Sequence, residues 1–535
     1  MGRRVAYTML LAGALVSSSA VAQEAPEDET VDLSNEPDLV RALGDAPAPK
    51  PAEPPPRADK FEFRGYARMT GAAGLHSLAP DVQGSVPQER VPYDRASIES
   101  HLYLDVRYSH GSWFRAVASG SLAVSTYNQV NRPSDGAATT SFDFQKPDAI
   151  VRELYVAFTV GRLDLRLGQQ RIVWGNSDAY APNDVLNGRD VRNPFLFDQE
   201  MLVLPAPAAR ADIDLGLGVL GIVFEPFVPS DKFDLYGTNW AFVQSDAPSG
   251  YRRLFGSLAK GLDRNAISGL QDTLSGGALG GGNPVNASLG ASLKLHLGGA
   301  DVSWYFQTGF DRLPGVYVDP TFQGQLEQLG STQLDGAVLD GLLNQTRAST
   351  KSIGGPIQIS YRRRNHVGMD ISTNVGPFIV RADVAFDSAK SFFARDTLNG
   401  SLRPAAQEVL GLEYQTGNLN KLVGLEVWGM QIFDPEVRYV PSLDPGTSGS
   451  LLWFHDRSWG AGGLLRWLFW DSVVMETRAS VGIDPFWWSV RPEIGYQSPS
   501  FTVRAGVLAL DGTGGAFGDY YRRNSTAYVT SRVSF

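Results

Sequence analysis

A two-residue rhythm restricts this chain more than any other feature. Between Ile98 and Tyr108 the even positions are mostly apolar (Ile98, Leu102, Leu104, Val106) and the odd ones mostly polar (Glu99, His101, Asp105, Arg107). Successive strand side chains point to opposite faces, so the segment has one greasy and one wet surface. Similar segments lie near residues 60–72, 96–109, 112–127, 148–160, 163–174, 207–214, 218–227, 286–298, 300–311, 356–374, 377–387, 405–416, 421–433, 458–470, 472–483, 486–497, 499–510 and 524–535. Most approach the ~10 residues that carry a tilted strand across a hydrocarbon layer. Their connections alternate: tight turns such as Gly161-Arg162 and Gly298-Gly299-Ala300-Asp301 follow every second strand, and long segments such as 175–206, 228–285 and 312–355 follow the others. A soluble sandwich has no reason for that asymmetry. Short periplasmic turns and long external loops explain it, so the rhythm predicts an all-β, antiparallel, up-and-down transmembrane β-barrel of about 18 strands. Asp484-Pro485 is short on the long-loop side, and the segments near 207–227 are the weakest, which leaves sixteen as the alternative count.

The N-terminus agrees with export. Arg3 and Arg4 precede an apolar run from Val5 to Val21 ending in Ala20-Val21-Ala22, the pattern of a signal peptide over residues 1–22. Beyond it no stretch of about 18 apolar residues occurs, so a closed barrel is the one spanning structure left. Residues 23–59 hold ten acids against three bases and many prolines, and are expected to be a disordered periplasmic tail. The barrel then occupies 60–535. Cysteine is absent, which removes thiolate catalysis, thiolate metal sites and a lipidated anchor. With a net charge of −10 and scattered bases, the chain has no electrostatic footprint for nucleic acid.

Val533, Ser531, Val529 and Ala527 share a face with the terminal Phe535. Such an ending resembles the segment read by the barrel-assembly machinery, which with outer-membrane lipids is an expected partner. Trp113, Trp174, Trp453, Trp459, Trp470 and Trp487-Trp488 are expected in interfacial girdles.

The wet parity turns eleven bases inward, from Arg64 to Arg532, against nine acids from Glu62 to Glu493. A mixture of that kind suits cross-strand ion pairs better than a selective ring of one sign. Two loops carry helical spacing: Leu254, Leu258, Leu262, Leu270 and Leu274, then Leu326, Leu329, Leu334, Val338, Leu342 and Leu343. Their apolar faces either narrow the barrel or lie over its mouth. No metalloprotease, hydrolase or metal-spaced motif occurs, so no catalytic, cofactor or metal residue is assigned. His101 on a wet face leaves an outer-membrane hydrolase as a third reading, behind a polar wall residue.

Arg152-Glu153-Leu154-Tyr155-Val156, then Leu163 to Gly175 (LDLRLGQQRIVWG), then Asn183-Asp184-Val185-Leu186-Asn187-Gly188-Arg189-Asp190 form the densest pattern in the chain. With Phe224-Glu225-Pro226-Phe227 and Pro229-Ser230 it resembles an uncharacterised Gram-negative outer-membrane family, domain of unknown function 1302. That resemblance implies envelope transport of hydrophobic or polymeric material beside an RND-type transporter, and so a periplasmic or inner-membrane partner. Arg166, Gln170 and Trp174 share the lumen parity. The segment after Gly175 is expected to fold inward, pinned by Arg166 and Glu153. The candidate lumen or constriction residues are therefore Glu153, Arg166, Gln170, Trp174, Asp178, Asn187 and Asp190, serving either as a constriction or as a structural latch. A porin-like channel or export conduit in the outer membrane is the leading function. The alternative is a non-conducting envelope scaffold or surface-adhesion component, its acidic tail held by a periplasmic partner.

Overall fold

The computed structural model describes residues 59–75, 96–131, 139–144, 147–177, 180–195, 199–228, 230–234, 240–243, 250–251, 287–313, 315–319, 321–322, 324–325, 337, 341–342, 344–345, 357–394, 400–416, 420–433 and 451–535. The expected leader, and the tail up to residue 58, lie outside them. So do Asp178, the first leucine series and, of the second, all but Leu342.

Eighteen strands form one ring. They are β1 (Lys60–Gly74), β2 (Ala96–His110), β3 (Phe114–Asn131), β4 (Asp148–Val160), β5 (Leu163–Gln170) and β6 (Ala206–Asp214). There follow β7 (Gly218–Glu225), β8 (Ser288–Leu297), β9 (Ala300–Phe310), β10 (Arg363–Val375), β11 (Phe378–Phe393) and β12 (Gly400–Gln415). The last six are β13 (Lys421–Ile432), β14 (Arg457–Phe469), β15 (Val473–Asp484), β16 (Trp487–Gln497), β17 (Phe501–Gly512) and β18 (Thr526–Ser534). Each pairs antiparallel with its sequence neighbours, and β18 returns to β1 in the register Tyr66↔Ser534 to Gly74↔Thr526. Closure leaves no end strand, as a sheet in lipid requires. The count is eighteen, because the segments near 207–227 are genuine strands. At the seam Gly65 and Phe535 exchange backbone hydrogen bonds of 2.9 and 3.0 Å, and the Phe535 ring stacks on Phe63.

The pleat sorts the side chains. Phe61, Phe63, Met69, Leu102, Leu104, Leu154, Phe306, Leu410, Leu465 and Ile494 lie exposed on the outer face, a belt that needs lipid to cover it. Trp113 and Trp470, the latter 85% exposed, sit at the short-turn end as girdle residues. Trp174, Trp453 and Trp487 do not: Trp174 and Trp487 are buried inside, and Trp453 packs against an internal cluster. These rings found apolar partners within the barrel, which the alternation alone does not reveal.

Inside, the charges pair as expected but mostly with a different neighbour. Arg64–Glu62 (3.2 Å), Arg107–Asp105 (2.8 Å), Arg166–Asp164 (2.9 Å), Arg210–Asp212 (2.8 Å) and Arg478–Glu476 (2.5 Å) join residues two apart on one strand. Arg381–Glu413 (2.8 Å) and Arg68–Glu99 (3.2 Å) do bridge strands. Toward the long-loop end the lumen face turns apolar: Val409, Trp428, Met430, Trp487, Leu508 and Leu510 pack with Phe195, Phe233, Phe322, Leu342 and Phe517 from the loops. Leu342 thus belongs to a cluster filling the mouth, and the inner wall is not polar throughout.

Candidate functional site

The wall is low where the family-like motif lies. β4 has 13 residues and β5 only 8, so the upper part of β4 has no partner there. Gly168 takes φ +131°, and a Cβ on it would lie 2.2 Å from the Leu154 carbonyl oxygen, which confines the position to glycine. After Gln170 the chain leaves the sheet and turns inward. A bulge in β4 receives it: Ser119 pairs with Glu153 and Gly120 with Val151, which skips Arg152 and directs two successive side chains into the lumen. Arg152 Nη1 donates to the carbonyls of Met201 and Val203, both at 3.1 Å, and its Nε donates to Ser121. Glu153 accepts the Arg171 N–H at 3.3 Å, and Gln169 Nε2 donates to the Val151 carbonyl at 2.6 Å.

From there the described residues of 171–205 cross the barrel. Trp174 stacks on Tyr305 of β9 with ring centroids 5.1 Å apart, and the Gly175 N–H donates to the Tyr305 hydroxyl. Asp370 on β10 and Asp383 on β11 are direct cross-strand partners and fully buried. Two carboxylates so placed repel unless donors satisfy them. The donors are the Asn176 side chain to Asp370 (2.7 Å), the N–H groups of Asn176 (3.3 Å) and Ser177 (3.1 Å) to Asp383, and the Tyr305 hydroxyl to Asp370. Farther round, the Tyr180 N–H donates to Glu426 of β13 and its hydroxyl to Gln407 of β12. Asn183 Nδ2 donates to the Met369 carbonyl, with its Oδ1 lying over Gly368.

The return path uses carbonyls. Those of Val185 and Leu186 accept from Arg312 (3.3 and 2.5 Å), whose guanidinium also grips Glu225 at 2.9 and 2.8 Å in full burial. Asn187 ties the excursion shut, exchanging hydrogen bonds with the backbone of Ile172 at 3.2 and 2.6 Å. Asp190 is buried against Arg192, which also reaches Asp148. The Phe195 carbonyl accepts from Arg491 on β16. Segment N–H groups thus meet carboxylates on one wall, and segment carbonyls meet arginines elsewhere. Asp231, in the loop beside it, accepts the Arg189 N–H at 2.7 Å; burial pushes its carboxyl up to about 6 despite that hydrogen bond.

Of the residues marked from sequence, Glu153, Trp174, Asn187 and Asp190 come together in or against the crossing segment. Gln170 is buried at its root, donating to the Ala208 carbonyl at 3.0 Å. Arg166 does not pin it: its side chain pairs with Asp164 on its own strand. Asp178 lies outside the described residues. Arg152, Asp370, Arg312 and Glu225 were missed as anchors. For Arg152 the signal was available, since two adjacent charges between Val151 and Leu154 break the alternation as a bulge does. His101 sits 2.6 Å from Glu99, which Arg68 also contacts, so it belongs to an ion cluster. Among the described residues no group of three or more His, Cys, Asp or Glu is placed to hold a metal.

Among solved structures the chain is similar to OccK7 (OpdD) of Pseudomonas aeruginosa, at 11% identity over 89% of this chain and 97% of that one, with a TM-score of 0.41. It is also similar to OccAB3 of Acinetobacter baumannii (9%, 89% and 99%, 0.42) and to OmpF of Salmonella typhi in complex with daunomycin (8%, 89% and 98%, 0.40). Likenesses at this level carry no weight for activity, and the closed ring stands on its own strand pairing. No curated protein matches the sequence. The model of the protein family of unknown function DUF1302 matches residues 111–432, which include the bulge, the crossing segment and the acidic wall, and the chain belongs to that family.

Proposed function

We propose that the protein is a porin-like channel of the outer membrane, working in envelope transport, whose aperture is set by residues 171–205. The observation that carries this reading is the crossing segment itself, fixed by hydrogen bonds to β4, β10, β11, β13 and β16. An eighteen-stranded ring encloses more space than its own side chains fill, so an inserted segment decides what passes. Charged side chains on the inner face below it supply a wall that water and solutes can wet. In planar bilayers the wild type conducts in small steps, and D370N/D383N, which weakens the hold on Asn176 and Ser177, conducts in larger ones. Silence from both, with the barrel intact by heat-modifiable mobility, would refute the channel.

One observation favours a second reading. The apolar cluster around Phe517, Trp487 and Trp428 fills the mouth, which suits a non-conducting scaffold with surface-facing loops. Bilayer recordings separate the two. Insertion through the barrel-assembly machinery by way of Phe535, and a periplasmic or inner-membrane partner for the acidic tail, belong to either.

A further inference from the structure

Charge on the inner wall is unevenly compensated near the seam. Arg68 of β1 and Arg532 of β18 are direct cross-strand partners, an unfavourable pairing unless each has a counter-charge. Arg68 has one, Glu99 at 3.2 Å, which it shares with His101. Arg532 has no carboxylate within ion-pair distance among the described residues. Its guanidinium lies 3.9 Å over the Tyr66 ring, which stacks on Tyr103 at 5.2 Å. A ring face fixes the guanidinium plane without using its N–H edge, and that edge matches the oxygens of a carboxylate or phosphate.

The neighbouring strands do not supply the missing charge. Glu476 is divided between Arg478 (2.5 Å) and Arg504 (3.7 Å), and Glu493 between Arg491 (3.3 Å) and Arg504 (3.4 Å). Across the inner face of β15 to β2, Arg64, Arg68, Arg107, Arg478, Arg491, Arg504 and Arg532 thus outnumber Glu62, Glu99, Asp105, Glu476 and Glu493. Thr70 and Thr530, hydrogen-bonded at 2.9 Å, add hydroxyls beside Arg532.

We propose that this patch is an anion subsite, with the half-buried Arg532 as the guanidinium that takes oxyanion oxygens. Its place on a transport path rests on the channel reading; its binding does not. The binding probe is inorganic phosphate, followed by phosphorus NMR line width against the detergent-folded full chain. Wild type broadens the line, R532Q loses the broadening, R532K keeps part of it, and R210Q, on another strand and paired with Asp212, leaves it unchanged. Equal broadening by wild type and R532Q, or none by wild type, overturns the subsite. In bilayers under a tenfold KCl gradient, wild type prefers chloride and R532Q lowers that preference about threefold, the effect of one charge a few ångströms from a hydrated path. An unchanged ratio in a conducting R532Q also overturns it. Phosphate binding that needs Arg532 in a barrel that stays silent defeats the channel and leaves the subsite standing.

Discussion

Arg312→Met tests whether the crossing segment is anchored or merely packed. The substitution leaves Glu225 fully buried without its partner and strips the Val185 and Leu186 carbonyls of their donor. Breaking one side of a buried ion pair costs about 3–5 kcal/mol, chiefly because the surviving charge stays in a poor dielectric. The unsatisfied carbonyls add about 1 kcal/mol each or more. If about 3 kcal/mol of this favours the released state, the open population rises roughly a hundredfold, at 1.4 kcal/mol per factor of ten. Trypsin reads that population, because Arg189 and Arg192 lie in the segment and cleavage of a transiently opened region tracks its equilibrium when reclosing is fast. The cleavage rate of folded, detergent-purified R312M should therefore exceed that of wild type by about two orders of magnitude, with the barrel still running as a compact, heat-modifiable species. R312M/E225Q removes the stranded charge but not the carbonyl loss, and should fall to about a tenfold excess. Equal rates for R312M and wild type, or for the single and double variants, would show that the pair does not hold the segment.

Gly168→Ala drives a methyl into the Leu154 carbonyl at a φ that alanine avoids, and should lower the yield of heat-modifiable barrel on refolding. Gly368→Ala places a Cβ 1.7 Å from Asn183 Oδ1; expelling that side chain should cost about 1–3 kcal/mol and speed tryptic cleavage tenfold or more while the barrel persists. Asp231 titrates upward in the folded protein, so its neutral form is the one the fold favours. Its contribution is therefore complete below about pH 4, the ordinary aspartate range, and is lost as pH rises through about 6. Hydrogen exchange corrected for intrinsic rate should show the Arg189 region opening more often at pH 7.5 than at pH 5, a step that D231N removes. Deleting Phe535 takes away both seam hydrogen bonds to Gly65 and the stack on Phe63, and should reduce the assembled fraction in membranes as seen by gel mobility.

Strands were legible because lipid on one side and water on the other impose a strict period of two, which an unpartnered edge cannot relax. Even the weak segments near 207–227 paired, since a ring with a gap would strand backbone groups in hydrocarbon. Trp174 could be placed inside by parity, and Asn187 and Asp190 by their position in a polar segment leaving a strand. Parity also put Arg166 inside, but an acid two residues away on its own strand captured it before the segment did. Asp383 was legible as a wet-face residue and Asp370 was not among the acids read inward; their meeting depends on the register between β10 and β11. The aromatic mouth was least visible: Trp428 and Trp487 follow the same alternation as girdle residues, and only the loops that cover them distinguish the two environments.

Among its described residues the crossing segment has almost no regular structure, so its backbone must find partners one group at a time. The wall meets this demand by sign. Where N–H groups of residues 175–177 and 180 face outward, the strands offer Tyr305, Asp383 and Glu426; where carbonyls of residues 185, 186, 195, 201 and 203 face outward, the partners are Arg312, Arg491 and Arg152. Main-chain carbonyls survive every substitution and main-chain N–H groups all but proline, so the path of the segment is written in the charges of the barrel more than in its own side chains. Changing those wall charges one at a time should therefore move the segment, and with it the aperture, while leaving the eighteen-stranded ring untouched.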